Sequence, residues 1–375
     1  MKVLFTCGGT AGHINPALGV AGRIRELIPD AEILFVGAEG HMETELVPRE
    51  GYVLETVRIA GFARSMKPKM LLQNAKTLAL VVKAGAKARR IVRDFQPDVA
   101  VGTGGYVCYP VLKAAADMAI PTAVHESNAV PGLTTRMLER KMNRILVGFE
   151  ESRSLYKNPD KVQVTGTPVR VAFRGADKAR ARRELGLSPT QPVVLAVFGS
   201  LGAEYMNRMM DGFIRRMGAN GDFRLIYATG KQYYDGVQKS LSRYGIRSPN
   251  VDVREYIYDM PKVMAAADVI ICRSGASTIS ELTYLGKPAV IVPSPNVVNH
   301  HQEKNADVLA KAGAARVLLE GQFTGEELYD TVRSMLGDAE ALREMHEASL
   351  ALGVTDATDR ITSIVLGLAG ENSSV

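Results

Sequence analysis

The chain has 375 residues, 46% hydrophobic and 23% charged, which supplies apolar material for more than one core and excludes a disordered polyelectrolyte. Its three cysteines, Cys7, Cys108 and Cys272, are far apart and in no metal-ligand spacing, which excludes a disulfide framework or zinc module and fits a reducing cytoplasm. The net charge of +6 and pI near 9.1 suit partners that carry phosphate, without identifying one; no nucleic-acid partner is expected.

At the amino terminus one lysine precedes an apolar run broken by Gly8 and Gly9. That run is too short for a secretory h-region and reads as a buried strand. No apolar run reaches the roughly 20 residues of a bilayer span, so any membrane contact is peripheral. "KVLFTC" (2–7), "EILFVG" (32–37), "DVAVGT" (98–103), "PTAVHE" (121–126) and "RILVGF" (144–149) are short β-branched runs with helix-length segments between most of them, the pattern of βαβ units on a parallel sheet. A charged stretch follows "KVQVTGTPVR" (161–170), and the alternation restarts with "PVVLAVFGS" (192–200), "FRLIYATG" (223–230), "VDVREYI" (251–257), "DVIICRSG" (268–275) and "PAVIVPS" (288–294). The prediction is α/β: two similar doubly wound domains with a linker near 165–185. Ligands of such sheets bind beyond the carboxyl ends of the strands.

Three glycine loops stand at strand ends: "GGTAG" (8–12), "GTGGY" (102–106) and "GSLGA" (199–203). The first lacks the G-x-G-x-x-G spacing and has no acidic residue ending a second strand, which argues against an ordinary NAD domain. Without G-x-x-x-x-G-K-[ST], a P-loop NTPase is equally disfavoured. Such glycines allow a tight strand-to-helix turn, and the open N–H groups at a helix start also suit a diphosphate. Two polar clusters lie at other strand ends. "HESNAVPG" (125–132) offers His125, Glu126 and Asn128. "RSGASTISE" (273–281) presents the amides of Ala276, Ser277 and Thr278, with Glu281 about one turn further on. Glu281 suits the two hydroxyls of a ribose; the spacing of Ser277 or Thr278 to Glu281 equally suits a capping box.

"GGTAGHINPAL", "GTGGYVCYP", "HESNAVPGLTTR", "GTPVR" and "CRSGASTISELTYLGKPAVIVPSPNVVNHHQEKNA" resemble, in order and spacing, the MurG enzymes of glycosyltransferase family 28, which act in peptidoglycan synthesis. The resemblance covers nearly the whole chain. It implies a GT-B fold of two Rossmann-like domains across a cleft: an acceptor-binding, membrane-associated domain of residues 1–165, with C-terminal helices about 345–375 packing back on it, and a UDP-GlcNAc-binding domain of residues 166–344. It implies transfer of GlcNAc from UDP-GlcNAc to undecaprenyl-diphospho-MurNAc-pentapeptide (lipid I) at the cytoplasmic face of the membrane, with no cofactor. Other cell-wall synthesis enzymes would be partners. Carried onto this sequence, Thr10, Ala11 and Gly12 would touch the sugar and diphosphate, and Asn128 the GlcNAc hydroxyls. Arg170 and Ser200 would lie near the diphosphate and Ile257 against the uracil. Ala276, Ser277 and Thr278 would bind phosphates, Glu281 the ribose and Gln302 the sugar. Without the family, Arg170 reads as a surface ion-pair residue and Ile257 as core. Two departures stand out: Phe198 replaces the usual glycine of the third loop, placing a bulky side chain beside the diphosphate, and "NVVNHHQ" replaces a basic, glutamine-rich run, so that His301 would take over a sugar contact.

An α-linked donor and a β-linked product require inversion, and the attacking hydroxyl needs a base. Imidazole, with an unperturbed pKa near 6.5, suits that task. His13, following the glycine turn at a helix start, is the candidate base; capping its helix or orienting the loop is the competing role. His125 and Glu126 form a second acid/base pair whose alternative is strand-end packing. No Asp-x-Asp pair ends a strand, so no protein-bound metal is expected. From Thr56 to Arg93 ten basic residues (Arg58, Arg64, Lys67, Lys69, Lys76, Lys83, Lys87, Arg89, Arg90 and Arg93) occur with no acidic one. With Leu71, Leu72, Leu78, Leu80, Val81 and Val82 this suits a helix on an anionic bilayer, or a Rossmann helix with a solvated basic face. The acceptor is expected near this segment and Gly104, Gly105 and Tyr106, with His125 and Glu126. A GT-B enzyme with a diacylglycerol acceptor, and a non-catalytic nucleotide-sugar-binding scaffold, are the alternatives.

Overall fold

The computed structural model describes residues 1–59, 68–218, 221–245, 248–297 and 301–372. Two compact units divide the chain: Met1–Val171 together with the segment from Thr355 onward, and Ala172–Val354. The first unit runs β1 (Lys2–Thr6), α1 (Ala11–Leu27), β2 (Glu32–Ala38), α2 (Glu43–Arg49), β3 (Val53–Val57), α3 (Pro68–Phe95), β4 (Val99–Gly102), α4 (Cys108–Asp117), β5 (Thr122–Glu126), α5 (Leu133–Leu138), β6 (Arg144–Val147) and β7 (Val162–Val164). The second runs α6 (Lys178–Glu184), β8 (Val193–Val197), α7 (Glu204–Met217), β9 (Arg224–Ala228), α8 (Tyr234–Arg243), β10 (Val251–Arg254), α9 (Met260–Ala266), β11 (Val269–Cys272), α10 (Ala276–Leu285), β12 (Ala289–Ile291), α11 (His301–Lys311), β13 (Ala315–Val317), α12 (Gly325–Leu336) and α13 (Ala339–Ala351). The chain then returns to the first unit as α14 (Ala357–Asn372).

Every pairing in both sheets is parallel. The seven-stranded sheet has the order β3-β2-β1-β4-β5-β6-β7 and the six-stranded sheet β10-β9-β8-β11-β12-β13. Both therefore reverse direction between their first strand and their fourth, at β1/β4 and β8/β11, and that switch point is where loops diverge and a ligand fits. Burial on both faces explains the unbroken apolar runs: Val3, Leu4 and Phe5 of β1 and Val194, Leu195 and Ala196 of β8 are all inaccessible. Phe5 and Phe35 stack at 5.2 Å beneath α1, while Leu4 faces the opposite core with Val111 and Leu112 of α4.

Three short strands escape the sequence pattern. β3 is an edge strand with alternating exposure, β7 is three residues long, and β13 has three residues with its middle one, Arg316, exposed. These three are short or only partly buried, so their sequence carries little hydrophobic signal. The return to the first unit also begins later than 345. α13 stays on α10, where His346 Nδ1 donates to Gly286 O, and α14 alone packs on α1. There Ile361, Val365 and Leu368 join the core of Ile14, Ala17 and Ala21, Arg23 Nε meets Asp359 at 2.7 Å, and the Thr358 hydroxyl bridges Val169 O at 3.0 Å.

In the described side chains of α3, Ala84, Ala88, Ile91 and Val92 are buried, while Lys83, Lys87, Arg89, Arg90 and Arg93 face solvent. Arg90 and Arg93 pair with Asp94. This part is a Rossmann helix with a solvated basic face; Val82, 67% exposed, is the one large apolar side chain shown on it. Arg64 and Lys67, and the side chains of Lys69, Leu71, Leu72, Lys76, Leu78 and Val81, lie outside the described residues.

Candidate active site

At the β1/β4 switch point two glycine loops are pressed together. Gly8 N donates to Gly104 O at 3.1 Å, and the Thr103 hydroxyl donates to His13 O at 2.6 Å. Gly104 (φ +120°) and Gly105 (φ +93°) occupy backbone conformations open to glycine, and neither position has room for a side chain. A Cβ on Gly104 would stand 2.4 Å from His13 Cδ2, and one on Gly105 would stand 2.4 Å from Gly8 O. Cys108 holds the second loop from below, its sulfur 3.0 Å from Gly104 O and 3.1 Å from Thr6 O. Burial pushes this thiol up to about 12, so it stays protonated.

Thr10 caps α1 in an extended conformation without a side-chain cap bond, and Ala11 and Gly12 form the first turn. Half-buried His13 does not cap the helix with its ring. Nδ1 lies 2.9 Å from Gly8 O, and a carbonyl can only accept, so Nδ1 carries a proton, and whenever the ring is neutral the lone pair is on Nε2. The imidazole is thus tied to the loop through one nitrogen. Glu43, fully buried, braces the same loop, with Oε2 accepting from Gly9 N at 3.0 Å and Oε1 from Ala38 N at 2.8 Å.

The strand-end pair His125 and Glu126 has internal duties instead. His125 is buried; its Nε2 donates to Gly166 O at 3.0 Å and its Nδ1 faces Ser127 Oγ at 3.3 Å, so both nitrogens are used, and burial holds its pKa below the usual imidazole value. Glu126, 7% exposed, accepts from Asn128 N, Asn128 Nδ2, Gly132 N and the Thr135 hydroxyl at 2.9–3.1 Å. Both groups are thus bonded within their own loop and strand ends. Their effect is to fix the loop that presents Asn128. Tyr106, 48% exposed on the second glycine loop, does have a free face. Arg170 pairs with Glu50 at 3.6 Å, the ion pair expected without the family, but its side chain is mostly covered rather than on the surface.

In the second unit the helix start follows β11. Gly275 is the N-cap of α10 and has no side chain, so the spacing of Ser277 and Thr278 to Glu281 builds no capping box. Glu281 is buried in the second turn, and Ala276, Ser277 and Thr278 form the first turn, whose N–H groups point out of the helix. The neighbouring loops are cross-braced. The Ser274 hydroxyl donates to Gln302 O at 2.7 Å, Asn305 Nδ2 to Ser274 O at 3.0 Å, and Ser294 N to Gln302 Oε1 at 2.9 Å, so Gln302 offers its amide N–H groups. Arg273, 9% exposed, donates to Val292 O at 3.0 Å and pairs with Glu320 at 2.8 Å. The Ile257 side chain is 3% exposed and Ser200 is half-buried on its glycine loop.

Phe198 does not stand beside that loop as expected. It is 3% exposed, lies edge-on to Tyr227 at 6.1 Å, and extends the Val194, Ala196 face of β8 into the core. The alternation 194, 196, 198 was the available signal. Glu43, Thr103, Arg273 and Asn305 carried none, because the contacts that tie them to these loops, to Gly9, His13, Val292 and Ser274, span 19–90 residues of sequence.

Sheets of 3-2-1-4-5-6-7 and 3-2-1-4-5-6 order, each with a glycine loop at its switch point, are the Rossmann-like units of a GT-B fold. The family descriptions for the glycosyltransferase family 28 N-terminal domain and C-terminal domain match residues 3–147 and 193–361. A UDP-N-acetylglucosamine–N-acetylmuramyl-(pentapeptide) pyrophosphoryl-undecaprenol N-acetylglucosamine transferase of Acetivibrio thermocellus is 41% identical over 365 residues, covering 97% of both chains. The protein of that name in Caldanaerobacter subterraneus is 40% identical over 366 residues, 97% of this chain and 99% of its own. The crystal structure of Acinetobacter baumannii MurG superposes with a TM-score of 0.67 at 25% identity, covering 98% of this chain and 99% of that one. The chain belongs to glycosyltransferase family 28 and, within it, to the MurG enzymes.

Proposed function

We propose that this enzyme transfers N-acetylglucosamine from UDP-GlcNAc to the 4-hydroxyl of undecaprenyl-diphospho-MurNAc-pentapeptide, with inversion, to form the lipid-linked disaccharide of peptidoglycan. Full-length relatedness to transferases so named supports the substrates. The observation that carries the mechanism is the His13 tautomer: Nδ1–H is committed to Gly8 O, so Nε2 is the nitrogen that can take a proton. The acceptor oxygen attacks the anomeric carbon from the face opposite the diphosphate, and its proton passes to Nε2. The bond from that carbon to the phosphate oxygen breaks, and its electron pair leaves with UDP. The first-turn amides at Ala276, Ser277 and Thr278 meet the developing charge at the positive end of α10. Glu281 holds the ribose, and Asn128 and Gln302 the sugar, with Thr10, Ala11, Gly12, Ser200 and Ile257 completing the donor contacts. Arg170, engaged by Glu50, assists at most in its paired form.

The first unit takes the acceptor, and the second most of the donor. Among the described residues no helix is long and apolar enough to cross a membrane. We place the enzyme peripherally on the cytoplasmic face, with the basic side of α3 toward anionic lipid; the exposed Lys83, Lys87, Arg89, Arg90 and Arg93 support this. The test is transfer from radiolabelled UDP-GlcNAc to a lipid I analogue against diacylglycerol, each with and without EDTA. Turnover of the lipid I analogue alone, unchanged by EDTA, is expected. Turnover of diacylglycerol overturns the acceptor assignment, and absence of turnover with either favours the scaffold. A folded His13→Ala variant that binds UDP-GlcNAc and transfers at the wild-type rate removes the base assignment.

A further inference from the structure

The first glycine loop contains a relay that the proposed mechanism does not use. Gly8 C=O and Gly9 N–H are the two ends of one peptide unit, and no cis peptide occurs among the described residues, so the two bonds point in opposite directions. Glu43 Oε2 accepts from Gly9 N–H at 3.0 Å on one side, and Gly8 O accepts from His13 Nδ1–H at 2.9 Å on the other. A carboxylate, a peptide and an imidazole therefore stand in series. We infer that Glu43 is a positioning residue for the reaction, acting through the Gly8–Gly9 peptide to hold His13 in the Nδ1–H tautomer with Nε2 toward the substrate; this rests on the reading of His13 as the base.

Several observations converge on that peptide. Glu43 is fully buried, and its second oxygen is fixed by Ala38 N at 2.8 Å, so the carboxylate cannot turn away. The backbone approaches it closely from the loop after β1 and from β2. A Cβ on Gly8 would stand 2.6 Å from Glu43 Oε1, and one on Gly37 would stand 2.5 Å from its Cγ. Gly105 closes the far side against Gly8 O. A buried carboxylate brought this close to two strand ends has a large desolvation cost, which its two backbone hydrogen bonds offset. Its charge polarises the peptide it grips, making Gly8 O a stronger acceptor for Nδ1–H. The other ionisable groups around it, the Cys7 and Cys108 thiols, are both pushed up by burial and stay neutral.

The test combines kinetics with the nitrogen spectrum of the imidazole. Glu43→Gln keeps the shape but sets an amide NH2 against one of the two backbone N–H groups. With His13 assigned by its loss in His13→Ala, long-range proton–nitrogen spectra of histidine-labelled protein read the tautomer. Wild type is expected as Nδ1–H, and Glu43→Gln as a mixture. In the same variant kcat is expected to fall about 10²-fold with KM for UDP-GlcNAc within about twofold, the signature of a misplaced base rather than a damaged donor site. If Glu43→Gln does not fold, Gly105→Ala presses on the same carbonyl from the other side and is expected to change the same two readings. A folded variant with wild-type kcat, or one that loses kcat with the tautomer unmoved, overturns the inference. Wild-type transfer by His13→Ala would overturn the base reading instead, and the spectra would still decide whether Glu43 sets the tautomer.

Discussion

Gly104→Ala tests the first glycine loop with the smallest perturbation the site allows. The added methyl would stand 2.4 Å from His13 Cδ2 and 2.9 Å from Nε2, where carbon contacts ordinarily close at about 3.5–4.0 Å. Roughly 1 Å must be found by moving either the ring or the loop. The ring is tied through Nδ1 to Gly8 O, and the loop through Gly8 N to Gly104 O and Thr103 to His13 O, so both resist. Alanine is also strained at φ +120°, a backbone region that costs about 1–3 kcal/mol. Stability should fall by about that amount, which is several degrees of melting temperature for a unit of this size. A displacement of about 1 Å at the base should lower kcat about 10²-fold, with UDP-GlcNAc binding largely retained because most donor contacts belong to the second unit. Steady-state transfer, calorimetric binding of UDP-GlcNAc and thermal denaturation on one preparation separate these effects. A Gly104→Ala enzyme that is destabilised yet turns over at the wild-type kcat would refute the argument that this close contact sets the base.

Phe198→Ala should cost about 3–5 kcal/mol in denaturant unfolding, as a buried aromatic lost from a core, with little change in KM for UDP-GlcNAc; a selective KM effect would return Phe198 to the donor site. His125 has a folded pKa below its unfolded value near 6.5, so the unfolded chain binds the extra proton first. Stability is full above about 6.5 and declines as pH falls toward the folded value, and His125→Gln should flatten that slope in unfolding midpoints between about pH 7.5 and 5. Lys287, buried with Nζ on Ala265 O and Ala267 O, has its pKa lowered to about 7 chiefly by burial. The unfolded chain therefore holds its proton up to about 10.4, stability should rise with pH from about 7 to about 10, and Lys287→Met should remove the rise, again read from unfolding midpoints.

Much of the architecture was legible from local chemistry. Buried parallel strands read as continuous apolar runs, so β1, β2, β4, β5 and β6 and all of β8 to β12 were found, whereas β3, β7 and β13 at or near sheet edges were not. The glycine loops, the helix start after β11 and the histidine at the head of α1 were visible because each is a short contiguous motif. Phe198 was misplaced because its loop was read apart from the strand: steps of two from Val194 and Ala196 put position 198 on their face, the one that meets the core of Tyr227. The pairing of Ser277 or Thr278 with Glu281 looked like a cap because spacing alone cannot show that Gly275 occupies the cap position.

By itself, then, the sequence determined the two doubly wound sheets, the loops at their switch points and the membership in a transferase family, since all of these are written in runs of adjacent residues. Only the tertiary structure decided what the polar groups do there. It turned His125 and Glu126 inward, committed His13 Nδ1 to Gly8 O, and brought Glu43 against Gly9 across 34 residues of chain. The state of an imidazole or a carboxylate depends on the few atoms within about 3 Å of it, and in a parallel sheet those atoms come from strands that the crossover helices have carried far apart in sequence.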